Sequence, residues 1–500
     1  MNVRTNNNPM RFRPWSEAAG LFLDLYLGIA SVRYNWFKAL LAKTSPVFLE
    51  KAGRILADRA GRRARRRVPA YRKFLATQLM NFIPETDKKS YVDIFPPEER
   101  CVDGLIPPRG TVIDESSGST GNPYHWIRSP RERHESQKFI SFFARHNFGP
   151  APWITINGFS MGAWATGLNM GEALTRNGIV KNTGPDADKI FETLRYFGPG
   201  YRYLILGYPP FLKRLADEAG PRGFPLEAYR ISALVGGEGM SEGLRSYLER
   251  VFSPVYSGYG ATDLEIGIAG ETPMTVALRR AAAANPEMRQ ALFGSDPRMP
   301  MIFQYNPLMH QVEINDAGEL VFTITRGSLL SPRIRYNIHD QGGVMRYDQL
   351  KAALAPWGMD PDAWELPGAT LPLPILWIHG RRDFTVSVMG ANIYPEDVEQ
   401  AVYSQDDLAS VTRSYCLSLA EDAQGGVRPL FSFEVTLPPS EELKAQFRDA
   451  VVKTLLTLNA DFREAWKEYS QALEPEIALF GHGEGPFATD GSKIKQVRLL

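Results

Sequence analysis

Cysteine is nearly absent from this chain. Cys101 and Cys416 stand alone in 500 residues, far apart and without a CxxC partner. That excludes a disulfide framework and a thiolate zinc site, and it fits a reducing, cytoplasmic compartment. An excess of charge of either sign is also lacking. Lys+Arg number 57 against 56 Asp+Glu, so nothing points to a nucleic-acid partner. A long uninterrupted apolar run is missing too. The nearest approach, LFLDLYLGIASVRYNWFKALLA at residues 21–42, is broken by Asp24, Arg33 and Lys38. It reads as a helix packed on the protein body rather than a transmembrane segment. The first twenty residues carry Arg4, Arg11, Arg13 and Trp15 without an apolar stretch, so no signal peptide is expected.

What is present is enough for large cores. At 44% hydrophobic content over this length, the chain is expected to divide into two or more domains. Residues 15–80 read as helical. Within them GRRARRRVP (61–69) holds five arginines, read as a solvated helix face. From 150 to 270, short apolar runs alternate with amphipathic segments, the signal of a sheet covered by helices. RYLIL (202–206), ISALV (231–235) and VYS (255–257) read as strands, each running into a glycine- or proline-bearing loop: GYPP, GGEG and GYGATD. Between the second and third, Ser241 is placed to cap a helix whose Leu244, Tyr247, Leu248, Val251 and Phe252 share one face. Strand, helix and strand at this length favour parallel pairing.

In such open sheets ligands collect outside the carboxyl ends of the strands. The three loops would share that edge. Gly236 and Gly237 let a flat ligand approach the backbone, and Tyr259 offers an aromatic face for a base. Thr262 presents a hydroxyl to a phosphate oxygen, and Asp263 a hard oxygen to magnesium. Upstream, DESSGSTGNP (114–123) concentrates hydroxyls and glycines between two short strands, TVI and YHWIR. Alone it reads as a surface turn. It lacks the lysine and the following helix that GxxxxGK[ST] phosphate loops require. His125, His339 and His379 fall in no metal-ligand spacing.

Taken in order, these segments resemble the adenylate-forming superfamily of acyl-CoA synthetases, adenylation domains and luciferases. SSGSTGNP is similar to that superfamily's phosphate loop, GGEG to its adenine loop, and GYGATD to its YGxTE motif. RYNIHD (335–340) resembles RYRTGD, HGRRDF (379–384) resembles GRxDD, and GSKIK (491–495) resembles the terminal lysine motif. The segment FSMGAWATGLNMG (159–171) resembles phenylacetate–CoA ligases and related acyl- or aryl-CoA ligases in particular.

The resemblance implies an α/β fold: a large domain of sheets covered by helices, residues 1–378 with a helical lead-in at 1–80, and a small mobile α+β lid at 379–500. The lid's strands are read from ILWI, VTRSYCLSL, LFSFEVTL and EIALF, with helices beginning near Pro395 and Glu441. The activity implied is ATP- and magnesium-dependent activation of a small carboxylic acid to an acyl-adenylate, then transfer to coenzyme A. A carrier-protein thiol or an amine is the alternative acceptor, a nucleotide-binding protein without turnover the alternative class, and a homodimer one open assembly. Ser116, Ser117, Gly118, Ser119, Thr120 and Gly121 would hold phosphates. Gly236, Gly237, Glu238, Tyr259 and Gly260 would frame the adenine, with Asp340 and Arg381 on the ribose or phosphate. Thr262, Asp263 and Lys493 would be catalytic, Asp263 the metal ligand and Asp383 the hinge. An apolar acid pocket is expected around Phe159, Met161, Trp164, Gly167 and Tyr208, suited to an aryl, arylacetyl or medium-chain acid. Asn122, Asp263, His339 and Phe384 replace the usual lysine, glutamate, glycine and second aspartate.

Overall fold

A computed structural model describes residues 16–77, 83–115, 124–161, 165–296, 298–365, 368–380, 386–388, 391–421 and 427–488. They gather into two compact units. One takes Met1–Gly184, Tyr256–Gly294 and Pro300–His379, and the other Pro185–Val255, Ser295–Met299 and Gly380–Leu500.

The first unit opens with four helices, Ser16–Ala30, Tyr34–Lys43, Pro46–Arg67 and Pro69–Ala76, where a helical lead-in was expected. Ser45 caps the third, accepting from the Phe48 amide, and Pro46 sets its first turn. Its buried Leu49, Leu56, Ala60 and Ala64 fall at helical spacing on the inner face. The arginine run is not a free solvated face. Arg62 pairs with Asp58 and Glu17, Arg66 with Glu17 and Arg67 with Asp103.

The sheet of this unit is built from antiparallel neighbours. His310–Ile314, Glu319–Ile324 and Tyr336–Met345 form one run, which continues through Ile375–Gly380, Met301–Tyr305, Glu265–Gly270 and Val255–Ala261. ILWI therefore pairs with Met301–Tyr305 instead of belonging to a lid. A four-residue apolar run carries no information about which sheet it joins. Trp153–Asn157 and Gly178–Asn182 add a parallel pair.

The second unit pairs Arg202–Gly207 with Arg230–Gly236 in parallel, as expected. Ser241 caps the helix Glu242–Leu248 through the Leu244 amide. Its later part carries Thr412–Glu421 antiparallel to Val427–Val435, which is parallel to Glu476–Phe480. The helices Pro395–Tyr403, Glu441–Leu458 and Ala460–Leu473 lie in the same stretch of chain. The fold class is α/β, with helices over a large sheet and a smaller α+β part near the C-terminus.

A buried ion cluster pins the first unit's sheet. Glu265 is held between Arg326 and His310, all three buried. Burial alone would raise the Glu265 carboxyl, but the Arg326 guanidinium and the hydrogen bonds from Arg326 and His310 outweigh it and hold it at about 2 against the usual 4.5. A depressed carboxyl contributes stability above its unfolded pKa and loses it as pH falls towards the folded one. Wild type should therefore lose stability between pH 4.5 and about 2. Denaturant unfolding of Glu265→Gln should show lower stability at neutral pH and a shallower slope across that window. An unchanged slope would contradict the assignment.

Candidate active site

The site is framed by a hairpin. Val112–Glu115 runs antiparallel to His125–Arg128, with Val112 opposite Arg128 and Glu115 opposite His125. The connecting residues 116–123, which include Ser116, Ser117, Gly118, Ser119, Thr120 and Gly121, lie outside the described residues. The frame around them is well defined. Arg128, at the hairpin's end and buried, donates to the Thr262 carbonyl at 2.6 Å and the Leu264 carbonyl at 2.7 Å. Its Nε meets Asp114 at 3.2 Å. Arg333, wholly buried, donates to the carbonyl in between, that of Asp263, at 2.8 Å. Two guanidinium groups thus hold three successive carbonyls. Burial, with Arg128 close by, pulls the Arg333 guanidinium down to about 9, still charged at neutral pH.

The segment so held leaves one strand and enters the next. VYS extends to a full strand, Val255–Ala261, so Tyr259 and Gly260 lie in the ladder and Thr262 and Asp263 in the turn. Gly260 is required by closeness: a Cβ there would sit 2.8 Å from the Gly267 nitrogen and 2.9 Å from the Glu265 oxygen.

The Asp263 carboxylate is buried and already engaged. One oxygen accepts from the Trp126 indole N–H at 3.1 Å, and the other pairs with Lys88 Nζ at 2.9 Å. Lys88 also lies 4.7 Å from the centre of the Tyr124 ring, just after the hydroxyl segment. Sequence reasoning missed Lys88, Arg128 and Arg333. The only local signal near Lys88 is the Asp87–Ser90 capping box, which marks a helical turn, not a site. A carboxylate keeps lone pairs beyond these two bonds. Magnesium typically takes one or two carboxylates plus substrate phosphates and waters. The donor set fits a metal that arrives with a nucleotide, and among the described residues no group of three or more His, Cys, Asp or Glu could hold one by itself.

Tyr259 and Asp340 are brought together. The phenol donates to the Asp340 carboxylate at 2.8 Å, while the ring stacks on Phe303 at 5.8 Å between centroids. Asp340 lies within the strand Tyr336–Met345, not in a turn. The two glycines after it serve close packing: a Cβ on Gly343 would lie 2.1 Å from the Trp377 ring, and one on Gly342 2.0 Å from its carbonyl oxygen. His339 has a φ of +65°, a conformation that costs most side chains about 1–2 kcal/mol and glycine almost nothing. Its amide donates to Asn337 at 2.7 Å, and its ring lies 3.3 Å from Glu319 and 3.6 Å from Asp87. The Asp87–Lys88 step therefore touches both the Asp340 strand and the Asp263 turn.

The remaining expected residues are placed as follows. Gly237, with a φ of +85°, lies so near Tyr208 that a Cβ would come within 2.7 Å of its ring. Gly236 ends the strand before it and Glu238 follows it. Phe159 is fully buried and Met161 half-buried. Gly167 packs against the Ser160 carbonyl and Met161, where a Cβ would be 2.2 Å and 3.1 Å away. Trp164, Arg381, Asp383 and Lys493 lie outside the described residues.

Among solved structures, the chain is similar to 2-hydroxyisobutyryl-CoA ligase in its postadenylation state with 2-HIB-AMP. The match covers 90% of this chain and 89% of that one, at a TM-score of 0.62 and 13% identity. The fold is that of the adenylate-forming ligases. The same ligase with 2-HIB-AMP and CoA in the thioesterification state matches over 92% of this chain and 91% of that one, at a TM-score of 0.53 and 14% identity. At such identities the adenylate-forming fold is what the likeness establishes. No protein-family model and no curated protein sequence matches the chain.

In this setting His339 is the backbone departure with a measurable cost. His339→Gly should exceed His339→Ala in stability by about 0.5–1 kcal/mol, the relieved strain less glycine's extra chain entropy. Urea unfolding of both variants measures it. A more stable alanine variant would contradict the strain at this position.

Proposed function

We propose that the protein joins a carboxylic acid to AMP at the expense of ATP and passes the acyl group to the thiol of coenzyme A. The observation that carries this reading is the Thr262–Asp263 turn. Guanidinium groups fix it against the very hairpin that brackets SSGSTGNP, and Tyr259 and Asp340 pair within the same unit. Its adenylate-forming fold supports the same reading.

In the mechanism proposed, hydroxyls and backbone amides of residues 116–121 receive the β- and γ-phosphates. Asp263 would hold the magnesium that accompanies ATP, and the ion would neutralise phosphate charge. The Thr262 hydroxyl donates to an α-phosphate oxygen, its position set by the clamped carbonyls on either side. Asp340 exchanges its bond from Tyr259 for the two ribose hydroxyls. Tyr259 and Gly260 are proposed to frame the adenine, a role proposed also for Gly236, Gly237 and Glu238. The carboxylate oxygen attacks the α-phosphorus and the bond to pyrophosphate breaks. Catalysis of this kind rests on positioning and charge neutralisation. Lys88, held at Asp263, supplies a cation beside the hydroxyl segment, where Asn122 has removed one.

Residues 379–500 are proposed as a lid turning at Asp383, with Arg381 contacting the nucleotide and Lys493 delivered to the reacting oxygens. After adenylation the thiol attacks the acyl carbon and AMP leaves. Phe159, Met161, Trp164, Gly167 and Tyr208 favour an aryl, arylacetyl or medium-chain acid.

The experiment is pyrophosphate release over a library of carboxylic acids, with coenzyme A, carrier protein or amines then added. Release dependent on an apolar acid, followed by thioester formation with coenzyme A, is expected. Nucleotide binding without release for any acid would overturn the proposal. Lys493→Ala should slow adenylate formation by roughly 10²-fold or more, the scale of losing one transition-state contact. Transfer from supplied acyl-adenylate to coenzyme A should be nearly unaffected. Equal loss of both half-reactions would contradict the role given to Lys493.

A further inference from the structure

We propose that the outer face of the first two N-terminal helices docks the protein onto an anionic lipid surface. Exposed large apolar residues are concentrated here. Of the 18 among the described residues, nine fall within residues 21–48, each between 37% and 69% exposed. Leu21, Phe22, Leu25, Tyr26 and Ile29 follow the i, i+1, i+4, i+5, i+8 spacing of one helix face, and Trp36 extends the patch on the next helix.

The first helix is amphipathic in the reverse sense to a surface helix in water. Its two acids are both paired to the third helix, Asp24 on the inner side and Glu17 at the exposed first turn. Asp24 pairs with Arg59, and Glu17 pairs with Arg66 at 3.0 Å and Arg62 at 3.6 Å, all on the helix Pro46–Arg67. The outward face from Leu21 to Ile29 carries no charge. Helices in water place the apolar stripe inward and the charges out. Contiguous exposed apolar surface of this kind marks an interaction site.

The fringe identifies the occupant. Asp24 is the one acid between residues 18 and 49, and it is engaged inward. The exposed charges at the margin, Arg33, Lys43 and Lys51, are all cationic. Arg33 lies 4.8 Å from the centre of the Trp36 ring. An apolar face with aromatic residues and a cationic margin is the composition of helices that lie in a bilayer interface above anionic headgroups. The helices are 15 and 10 residues long, and among the described residues none is long and apolar enough to cross a membrane. A second copy fits less well, because an isologous contact across this patch would bring the same cations together.

Flotation of the full chain with vesicles of phosphatidylcholine, with and without phosphatidylserine, tests the proposal. Binding to the phosphatidylserine vesicles is expected, weakened by added salt and weaker on phosphatidylcholine alone. Leu25→Glu with Ile29→Glu should cut binding at least tenfold. Arg33→Glu with Lys43→Glu should abolish the preference for phosphatidylserine. Both pairs face solvent, so unchanged thermal unfolding is the control. If either pair does unfold, Leu25→Ser with Ile29→Ser gives the same reading. No flotation of wild type, or flotation indifferent to these changes, overturns the proposal. So does a wild-type dimer in light scattering that the glutamate variant converts to monomer.

Discussion

Two buried guanidinium groups hold the peptide on which the rest of the site depends. Arg128 and Arg333 between them occupy the carbonyls of Thr262, Asp263 and Leu264. Buried charges of this kind are costly unless every donor finds an acceptor, and removing one partner typically costs about 3–5 kcal/mol. Arg128 has backbone oxygens and the carboxylates of Asp114 and Glu132, while Arg333 has the carbonyls of Asp263 and Ser331 and keeps one buried nitrogen without a hydrogen bond among the described residues. A turn between two strands would otherwise be free to adjust. Here it is fixed at the carbonyls of three consecutive residues, so under the proposed function a hydroxyl and a carboxylate would be presented to a charged ligand without reorganisation.

Around that clamp the residues work in pairs. Trp126 and Lys88 divide the Asp263 carboxylate, and Trp126 is itself enclosed by Arg333 at 4.4 Å and the edge of Tyr336 at 5.9 Å. Tyr259 and Asp340 satisfy each other at 2.8 Å. Such pairing keeps these polar groups hydrogen-bonded. His339 is one of three non-glycine residues with a left-handed backbone among the described residues, with Asp103 and Arg335, and its ring and amide both find partners, so the backbone next to Asp340 is held from several sides.

Much of the architecture was legible because it rests on local rules. The strands at 202–206 and 231–235, the Ser241 cap, the three later strands within residues 411–480 and the helices beginning at Pro395 and Glu441 follow from alternation, capping and helical spacing, while the helices Asp406–Val411 and Ala460–Leu473 were not read. The candidate residues Tyr259, Thr262, Asp263 and Asp340 were read from type and order. What supports them was not. Arg128 reaches Thr262 across 134 positions and Arg333 reaches Asp263 across 70, and no short-range pattern encodes such a partner. Gly342 and Gly343 are opaque for a related reason. A glycine pair after an aspartate looks like a turn, but these two make room for Trp377 on the neighbouring strand.

The most direct test is a crystal structure with a sulfamoyl analogue of an acyl-adenylate. The account expects the sulfonyl oxygens within hydrogen-bonding reach of the Thr262 hydroxyl and the ribose hydroxyls on Asp340. Arg128 and Arg333 should still occupy the carbonyls of residues 262–264. An analogue that touches neither Thr262 nor Asp340, or a bound state in which those carbonyls have left their arginines, would contradict it.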